Sequence, residues 1–262
     1  MSELPAVLAT LEGPVLTLTL NRGERYNPLS MEMIGSLQAA LDAAALVAAV
    51  RVVVIAAAGK GFSAGHDLKE MRSHVGDDGW QRKLFEDCNR MMVSITKLPK
   101  PVIARVHGIA TAAGCQLVSM CDLAVASEVA TFALPGVNIG VFCSTPAVGV
   151  ARNIGRKQVM EMLLTGQPID ARTALAFGLV NRVVPGPQLD VEIKRFTDLI
   201  ASRSEPVVAM GKAAFYRQVE QGLEPAYGIA GATMAGNMAH PDAAEGIDAF
   251  LGKRPVRWHA ER

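Results

Sequence analysis

Two glycine-rich loops hold the residues best placed to do chemistry. Gly59-Lys-Gly-Phe-Ser-Ala-Gly-His-Asp-Leu-Lys-Glu-Met71 follows an apolar, β-branched run and leads into helical sequence. Val106-His-Gly-Ile-Ala-Thr-Ala-Ala-Gly-Cys-Gln116 repeats that arrangement later in the chain. Where a strand ends and a helix begins, backbone N–H groups have no partner in the chain and can point at a ligand. Two such loops at one edge of a sheet can hold a single oxygen between two N–H donors, since small residues let the backbone approach closely. Taken singly, each loop reads more readily as a structural turn.

Other reactive side chains carry a functional and a plainer reading side by side. Cys143 beside Ser144 has the makings of a nucleophile, but no base stands at a useful spacing, so a buried or loop-lining thiol is the plainer reading. His66 has an ordinary pKa suited to proton transfer. His107, between a strand and Gly108, reads as a hydrogen bond within a turn. Asp67 before Leu68-Lys69 reads as a helix N-cap, Asp122 as structural, and Met91-Met92 as core. Cys88, Cys115, Cys121 and Cys143 show no C-x-x-C spacing and the five histidines are scattered, so reduced thiols and no metal are expected.

The elements that must position these residues follow from periodicity. Val7 to Leu11 and Val15 to Leu20 read as a hairpin around Glu12-Gly13-Pro14. Ser30 caps a helix whose apolar positions Met33, Ile34, Leu37, Leu41 and Ala44 recur at helical spacing. Arg51 to Ile55 reads as a strand of a parallel sheet covered on both faces. Helical period returns from Trp80 to Lys97, followed by a strand over Pro101 to Val106 and a short helix over Thr111 to Met120. Leu123 to Ala126 and Thr131 to Ala133 read as strands. From Thr145 the pattern is helical, with Gly178 to Val184 as the one strand-like interruption. The whole predicts an α/β fold in one continuous domain, a core over residues 1–200 with a helical region over 201–262.

The 262 residues suffice for a sizeable core. A net charge of +1, from 26 basic and 25 acidic residues, lacks the footprint of a nucleic-acid or membrane-surface partner. Ala43 to Ala58 is strongly apolar, but Arg51 breaks it into runs well short of the ~20 residues that span a bilayer. No basic-then-apolar pattern opens the chain, from which a cytoplasmic location is expected.

Phe62-Ser-Ala-Gly-His-Asp-Leu-Lys-Glu70, Pro99-Lys-Pro-Val-Ile-Ala104, the Ala-Ala-Gly-Cys-Gln loop and Cys121-Asp-Leu-Ala124 together resemble the signature of the enoyl-CoA hydratase/isomerase (crotonase) superfamily. Weaker similarity runs from Asn21-Arg22 through Leu163-Leu-Thr-Gly166 and Ala174 to Leu179 to the last helix. The resemblance implies a spiral of ββα units with a helical C-terminal trimerisation region, assembled as a homotrimer or a dimer of trimers. It implies an acyl-CoA substrate, with coenzyme A entering as part of the substrate and no cofactor bound permanently. The backbone N–H groups of His66 and Ala113 would form an oxyanion hole that stabilises a thioester enolate. Arg25, Ala64, Asp67, Leu68 and Lys69 lie where the family lines its CoA groove. Phe250 and Lys253 match positions that reach the nucleotide, sometimes from a neighbouring subunit.

The family pattern breaks at the acid–base groups. Hydratases of the family use two glutamates; the matching positions here are Gln116 and Gly136. Gln116 can orient water but exchanges no proton near neutral pH, and each general acid–base group is worth ~10²–10⁴-fold. Weak or absent hydratase activity is therefore expected. Some isomerases of the superfamily place an aspartate where Ser144 stands. These departures resemble the subgroup called enoyl-CoA hydratase domain-containing protein 3. Three readings stay open: a weak or specialised hydratase, an isomerase or other enolate chemistry, and an acyl-CoA-binding protein without catalysis.

Overall fold

The structure is a computed structural model that describes residues 4–259. Strands β1 (Val7–Glu12) and β2 (Val15–Leu20) form an antiparallel hairpin with Gly13 in the left-handed region at its turn. Helix α1 (Met31–Leu46) starts where the Ser30 hydroxyl accepts the Met33 N–H at 3.2 Å. Its residues Met33, Ile34, Leu37, Leu41 and Ala44 are all buried, the stripe that the spacing predicts. Next come β3 (Val52–Ala57), the short α2 (Leu68–Ser73), α3 (Asp78–Lys97) and β4 (Val102–Val106). After the second loop follow β5 (Ala110–Thr111), α4 (Ala113–Met120), β6 (Leu123–Ser127) and β7 (Thr131–Ala133).

The remaining elements are α5 (Ser144–Val150), α6 (Arg156–Thr165), β8 (Ile169–Asp170), α7 (Ala171–Phe177), β9 (Arg182–Val184), α8 (Leu189–Ala201), α9 (Glu205–Gln218), α10 (Leu223–Met238) and α11 (Pro241–Leu251). Six strands form one sheet in the order β1-β2-β3-β4-β6-β9, parallel everywhere except the β1–β2 hairpin. A small second sheet, β5-β7-β8, stands beside it.

Alternation within β3 explains why its sequence is apolar throughout. Val53 and Ile55 face the main core, which α1, α3 and α4 close, while Val52 and Val54 face a second cluster with Leu189 and Ile193 of α8. Both faces of the sheet are covered, so no polar alternation survives.

Three elements differ from the sequence reading, one of them β8, a two-residue strand paired with β7 in a stretch read as helical. The stretch read as a helix from Thr111 is first a two-residue strand, held by parallel pairing of Ala110–Thr111 with Phe132–Ala133; α4 begins only at Ala113. The stretch from Gly178 is strand only over Arg182–Val184, because Gly178 terminates α7 in a left-handed conformation at φ 94°.

A polar cluster joins α9 to the core. Lys212 of α9 donates to the carbonyls of Ile95 and Lys100, both at 2.9 Å, and to Asp122 Oδ2 at 2.6 Å. The Tyr216 hydroxyl donates to Asp122 Oδ1 at 2.8 Å, and the Val102 N–H donates to Asp122 Oδ2 at 2.7 Å. Asp122 is structural, as its sequence context predicts. Like α9, α10 buries no residue; Tyr227 is 72% exposed and Met234 59%. Among the described residues no helix is long and apolar enough to cross a membrane.

Candidate active site

The first loop is held open by Asn27. Its backbone takes a left-handed conformation (φ 50°), and its side chain donates to the carbonyls of Ala58 and Gly61 at 2.8 and 3.0 Å while accepting the Arg22 N–H at 2.8 Å. Its carbonyl accepts the Ser63 hydroxyl at 2.9 Å. Asn27 escaped the sequence reading, although an asparagine wedged between Tyr26 and Pro28 is the residue type that tolerates this backbone. His107 bonds not within its own turn, as its position suggests, but across to the first loop, with Nε2 3.0 Å from the Gly59 carbonyl.

The second loop runs against the first. Phe62 and Ser63 N–H groups donate to the Ile109 carbonyl at 2.9 and 3.0 Å, the Thr111 N–H donates to the Ser63 carbonyl at 2.9 Å, and the Thr111 hydroxyl to that of Ala64 at 3.1 Å. Two glycines make this contact possible. A Cβ added at Gly114 would lie 2.3 Å from the Ser63 carbonyl oxygen, and one at Gly65 would lie 2.9 Å from the Ala112 Cβ and 3.1 Å from the Ala113 nitrogen. Gly65 also has φ 88°, a conformation that L side chains rarely adopt.

This packing sets the direction of two N–H groups. Ala112 is strained at φ 49°, ψ −120°, and is kept there by its own N–H bond to the Ala133 carbonyl at 2.9 Å. Ala113 follows as the first residue of α4, where a helix has no internal acceptor for an N–H. Among the described residues neither the Ala113 N–H nor the His66 N–H donates to a protein acceptor. Both residues line one cavity of about 610 Å³.

Ala64, His66, Leu68 and Met71 form one side of the cavity and Phe85 of α3 adds to it. Most of the stretch between Pro135 and Pro146 forms the other side, a wall that the sequence reading missed apart from Gly136, Cys143 and Ser144. The His66 ring meets the Phe85 ring edge-on, 5.4 Å between centroids. Burial pushes the imidazole pKa down to about 4, so the ring is neutral at physiological pH, and its Nε2 is buried with no partner among the described residues.

The predicted site residues divide. His66, Ala113, Ala64 and Leu68 meet on the cavity wall. Asp67 turns its carboxylate back as the N-cap of α2, accepting from Lys69 and Glu70 N–H groups at 2.9 and 3.2 Å, and Arg25 lies 3.5 Å from it. Arg25, Asp67 and exposed Lys69 thus flank the cavity without lining it. Phe250, 82% exposed on α11, and Lys253 just beyond it are not brought to the cavity within this chain. Gln116 is 4% exposed and is not among the residues that line the cavity. It lies in α4, where every residue from Ala113 to Ser119 is buried, and its Oε1 is unpartnered among the described residues.

Position 136 is closed as well as empty of a carboxylate. A Cβ on Gly136 would lie 2.4 Å from the Val141 carbonyl oxygen and 2.9 Å from Cys143 Sγ. The turn over it is tied by the Val141 N–H to the Gly136 carbonyl at 2.9 Å and by the Gly136 N–H to Cys143 Sγ at 3.3 Å. Burial raises the Cys143 thiol pKa, partly offset by that N–H, so the sulfur is a protonated acceptor rather than a thiolate. All four cysteines are buried and unpaired.

Comparison with known proteins agrees with this geometry over most of the chain. Residues 10–261 match the family model described as enoyl-CoA hydratase/isomerase. The chain is 46% identical over 244 residues to the Mus musculus protein named enoyl-CoA hydratase domain-containing protein 3, mitochondrial, covering 93% of this chain and 81% of that one. A solved enoyl-CoA hydratase from Mycobacterium smegmatis is 53% identical with a TM-score of 0.95, covering 97% of this chain and 99% of the other. Human enoyl-CoA hydratase domain-containing protein 3 is 45% identical with a TM-score of 0.93, covering 97% and 100%.

These names correct the expectation of a cytoplasmic location. The mouse relative and its rat, human, zebrafish and frog counterparts are all named mitochondrial. The expectation rested on the pattern of the first residues, and an address of that kind leaves no trace in the packing of a folded domain. Two interlocked loops, a six-stranded spiral core and a match that spans nearly every residue converge on one assignment: the chain belongs to the enoyl-CoA hydratase/isomerase (crotonase) family.

Proposed function

We propose that the chain binds an acyl-CoA thioester with the thioester oxygen between the N–H groups of His66 and Ala113, and that this pair stabilises an enolate at the α-carbon. The observation that carries the reading is the meeting of the two loops at Gly65 and Ala113 on a cavity wall, with both N–H groups free of protein acceptors. A backbone donor fixed before reaction needs no reorganisation as negative charge develops, and each is worth ~3–4 kcal/mol. Coenzyme A enters as part of the substrate, with Arg25 and Lys69 near the mouth as cations for its phosphates.

Ordinary hydration is not supported. Gln116 carries no carboxylate, and a Cβ on Gly136 would meet the Val141 carbonyl oxygen at 2.4 Å. Hydratase turnover of crotonyl-CoA is expected to be weak or absent, with isomerisation or other enolate chemistry as the catalytic alternatives. At the isomerase aspartate position Ser144 has its hydroxyl 3.4 Å from the Phe142 carbonyl and supplies no carboxylate. A second reading, binding without turnover, is favoured by the absence of any Asp, Glu, Lys or Arg among the lining residues.

Assembly as a trimer or a dimer of trimers belongs to the same proposal; the bare apolar side chains of α10 support it.

The test is a turnover and binding screen with saturated, 2-enoyl, 3-enoyl and hydroxyacyl-CoA esters, using the parent chain, Ala113→Pro and His66→Ala. Proline suits the first helical position but has no N–H, so Ala113→Pro is expected to lose ester binding and turnover. His66→Ala keeps its N–H and is expected to retain both. Full ester binding by Ala113→Pro, or a crotonyl-CoA hydration rate in the ordinary hydratase range, would defeat the proposal.

A further inference from the structure

One stretch of the cavity wall is attached to the molecule differently from the rest. Leu68 to Gly76, which comprises α2 and supplies Leu68 and Met71 to the wall, contains no buried residue. Among the described residues no main-chain bond joins it to another element; its main-chain bonds close within residues 67–77. Its ends, by contrast, are fixed. Just before it the Gly65 carbonyl accepts the Leu29 N–H at 2.8 Å, and just after it Asp77 caps α3 by accepting the Trp80 N–H at 2.9 Å. Gly76 holds φ 89° with open space where a side chain would stand, which makes it a pivot.

Between those ends, side-chain contacts and the half-buried Met71 hold the stretch in place. Glu70 Oε2 accepts the Met31 N–H at 3.0 Å, one of the donors that α1 leaves unpaired at its N-terminus. Gln81 Nε2 donates to the Met71 carbonyl at 3.1 Å. The His74 ring stacks on Trp80 of α3, 4.1 Å between centroids and 6° from parallel. Leu68 and Val75 stay exposed. A segment with so few buried contacts opens locally at a small fraction of the global unfolding free energy, and when this one opens the cavity opens with it. Resting on the reading of the chain as an acyl-CoA binder, we propose that residues 68–76 are a gate: they swing about Gly76 to admit and release the ester, and Glu70 and Trp80 latch them over it.

The experiment is hydrogen exchange of the full chain, free and saturated with butanoyl-CoA, together with stopped-flow dissociation of that ester, for the parent chain, Glu70→Ala and Trp80→Ala. In the free parent, residues 68–76 are expected to exchange at least ~100-fold faster than β3, and butanoyl-CoA to slow them at least ~10-fold. Each variant is expected to speed exchange in residues 68–76 while β3 keeps its rate, and to release the ester about fivefold faster, the worth of one such contact. A purely structural role for Glu70 and Trp80 would speed exchange in β3 as well, and that result would overturn the proposal. So would a stretch 68–76 that exchanges as slowly as β3, one that bound butanoyl-CoA leaves unprotected, or dissociation unchanged in both variants. Each of these outcomes leaves the acyl-CoA reading standing; failure of butanoyl-CoA to bind removes that reading and the gate together.

Discussion

At the scale of single residues, the site depends on atoms that side chains do not supply. Gly114→Ala would drive a Cβ to within 2.3 Å of a main-chain oxygen that is itself bonded to Thr111. The loops must part, so a loss of ~1–3 kcal/mol is expected from overpacking, together with loss of acyl-CoA binding; urea unfolding and calorimetry read the two effects. His66 gives a pH dependence with a defined sign. Its pKa is about 4 in the folded chain against 6.5 for the free group, so below pH 6.5 the unfolded chain takes up a proton that the folded chain refuses. Its contribution to stability is complete above pH 6.5 and is lost as the pH falls toward 4, by up to ~3 kcal/mol. In His66→Gln the fall in unfolding free energy over that interval should be shallower than in the parent; equal slopes would refute the assignment. At this scale the sequence is legible where a backbone rule acts locally, as with Ser30 and Asp67 as caps. It is silent on the orientation of Gln116, whose motif position says nothing of which way a buried helix turns its side chains.

At the scale of elements, periodicity suffices where burial follows one face. The α1 stripe and the all-apolar β3 are both legible because each answers to a single geometric period. The strand at Ala110–Thr111 is not, since two residues hold no period and their conformation comes from pairing with Phe132–Ala133, further along the chain. The wall formed by Ile139, Val141 and Phe142 is hidden for the same reason: nothing local distinguishes a loop residue facing a cavity from one facing water. The junction of α9 with the core is another long-range feature, and it yields a test. Removing Asp122 leaves Lys212 buried without its counter-charge, so Asp122→Ala is expected to cost about 3–5 kcal/mol in urea unfolding. Adding Lys212→Met should recover part of that loss, because the stranded charge goes with it. A double variant no more stable than Asp122→Ala would show that the cluster does not act as an ion pair.

At the scale of the whole molecule, the helical C-terminal region leaves apolar side chains of α10 uncovered. Leu223, Tyr227, Met234 and Met238 of α10 are all more than half exposed, a face that water covers poorly. Light scattering at micromolar concentration is expected to give the mass of a trimer or hexamer, and Tyr227→Glu with Met234→Glu to shift it toward the monomer; a monomeric parent chain would refute the assembly. The cluster at Asp122 also has a meaning in time. Its partners Lys212 and Tyr216 lie 90 and 94 residues downstream. On the ribosome, the segment that carries both glycine-rich loops emerges well before the groups that neutralise Asp122, so the nascent core waits, incomplete and dependent on the last quarter of translation, before it can close.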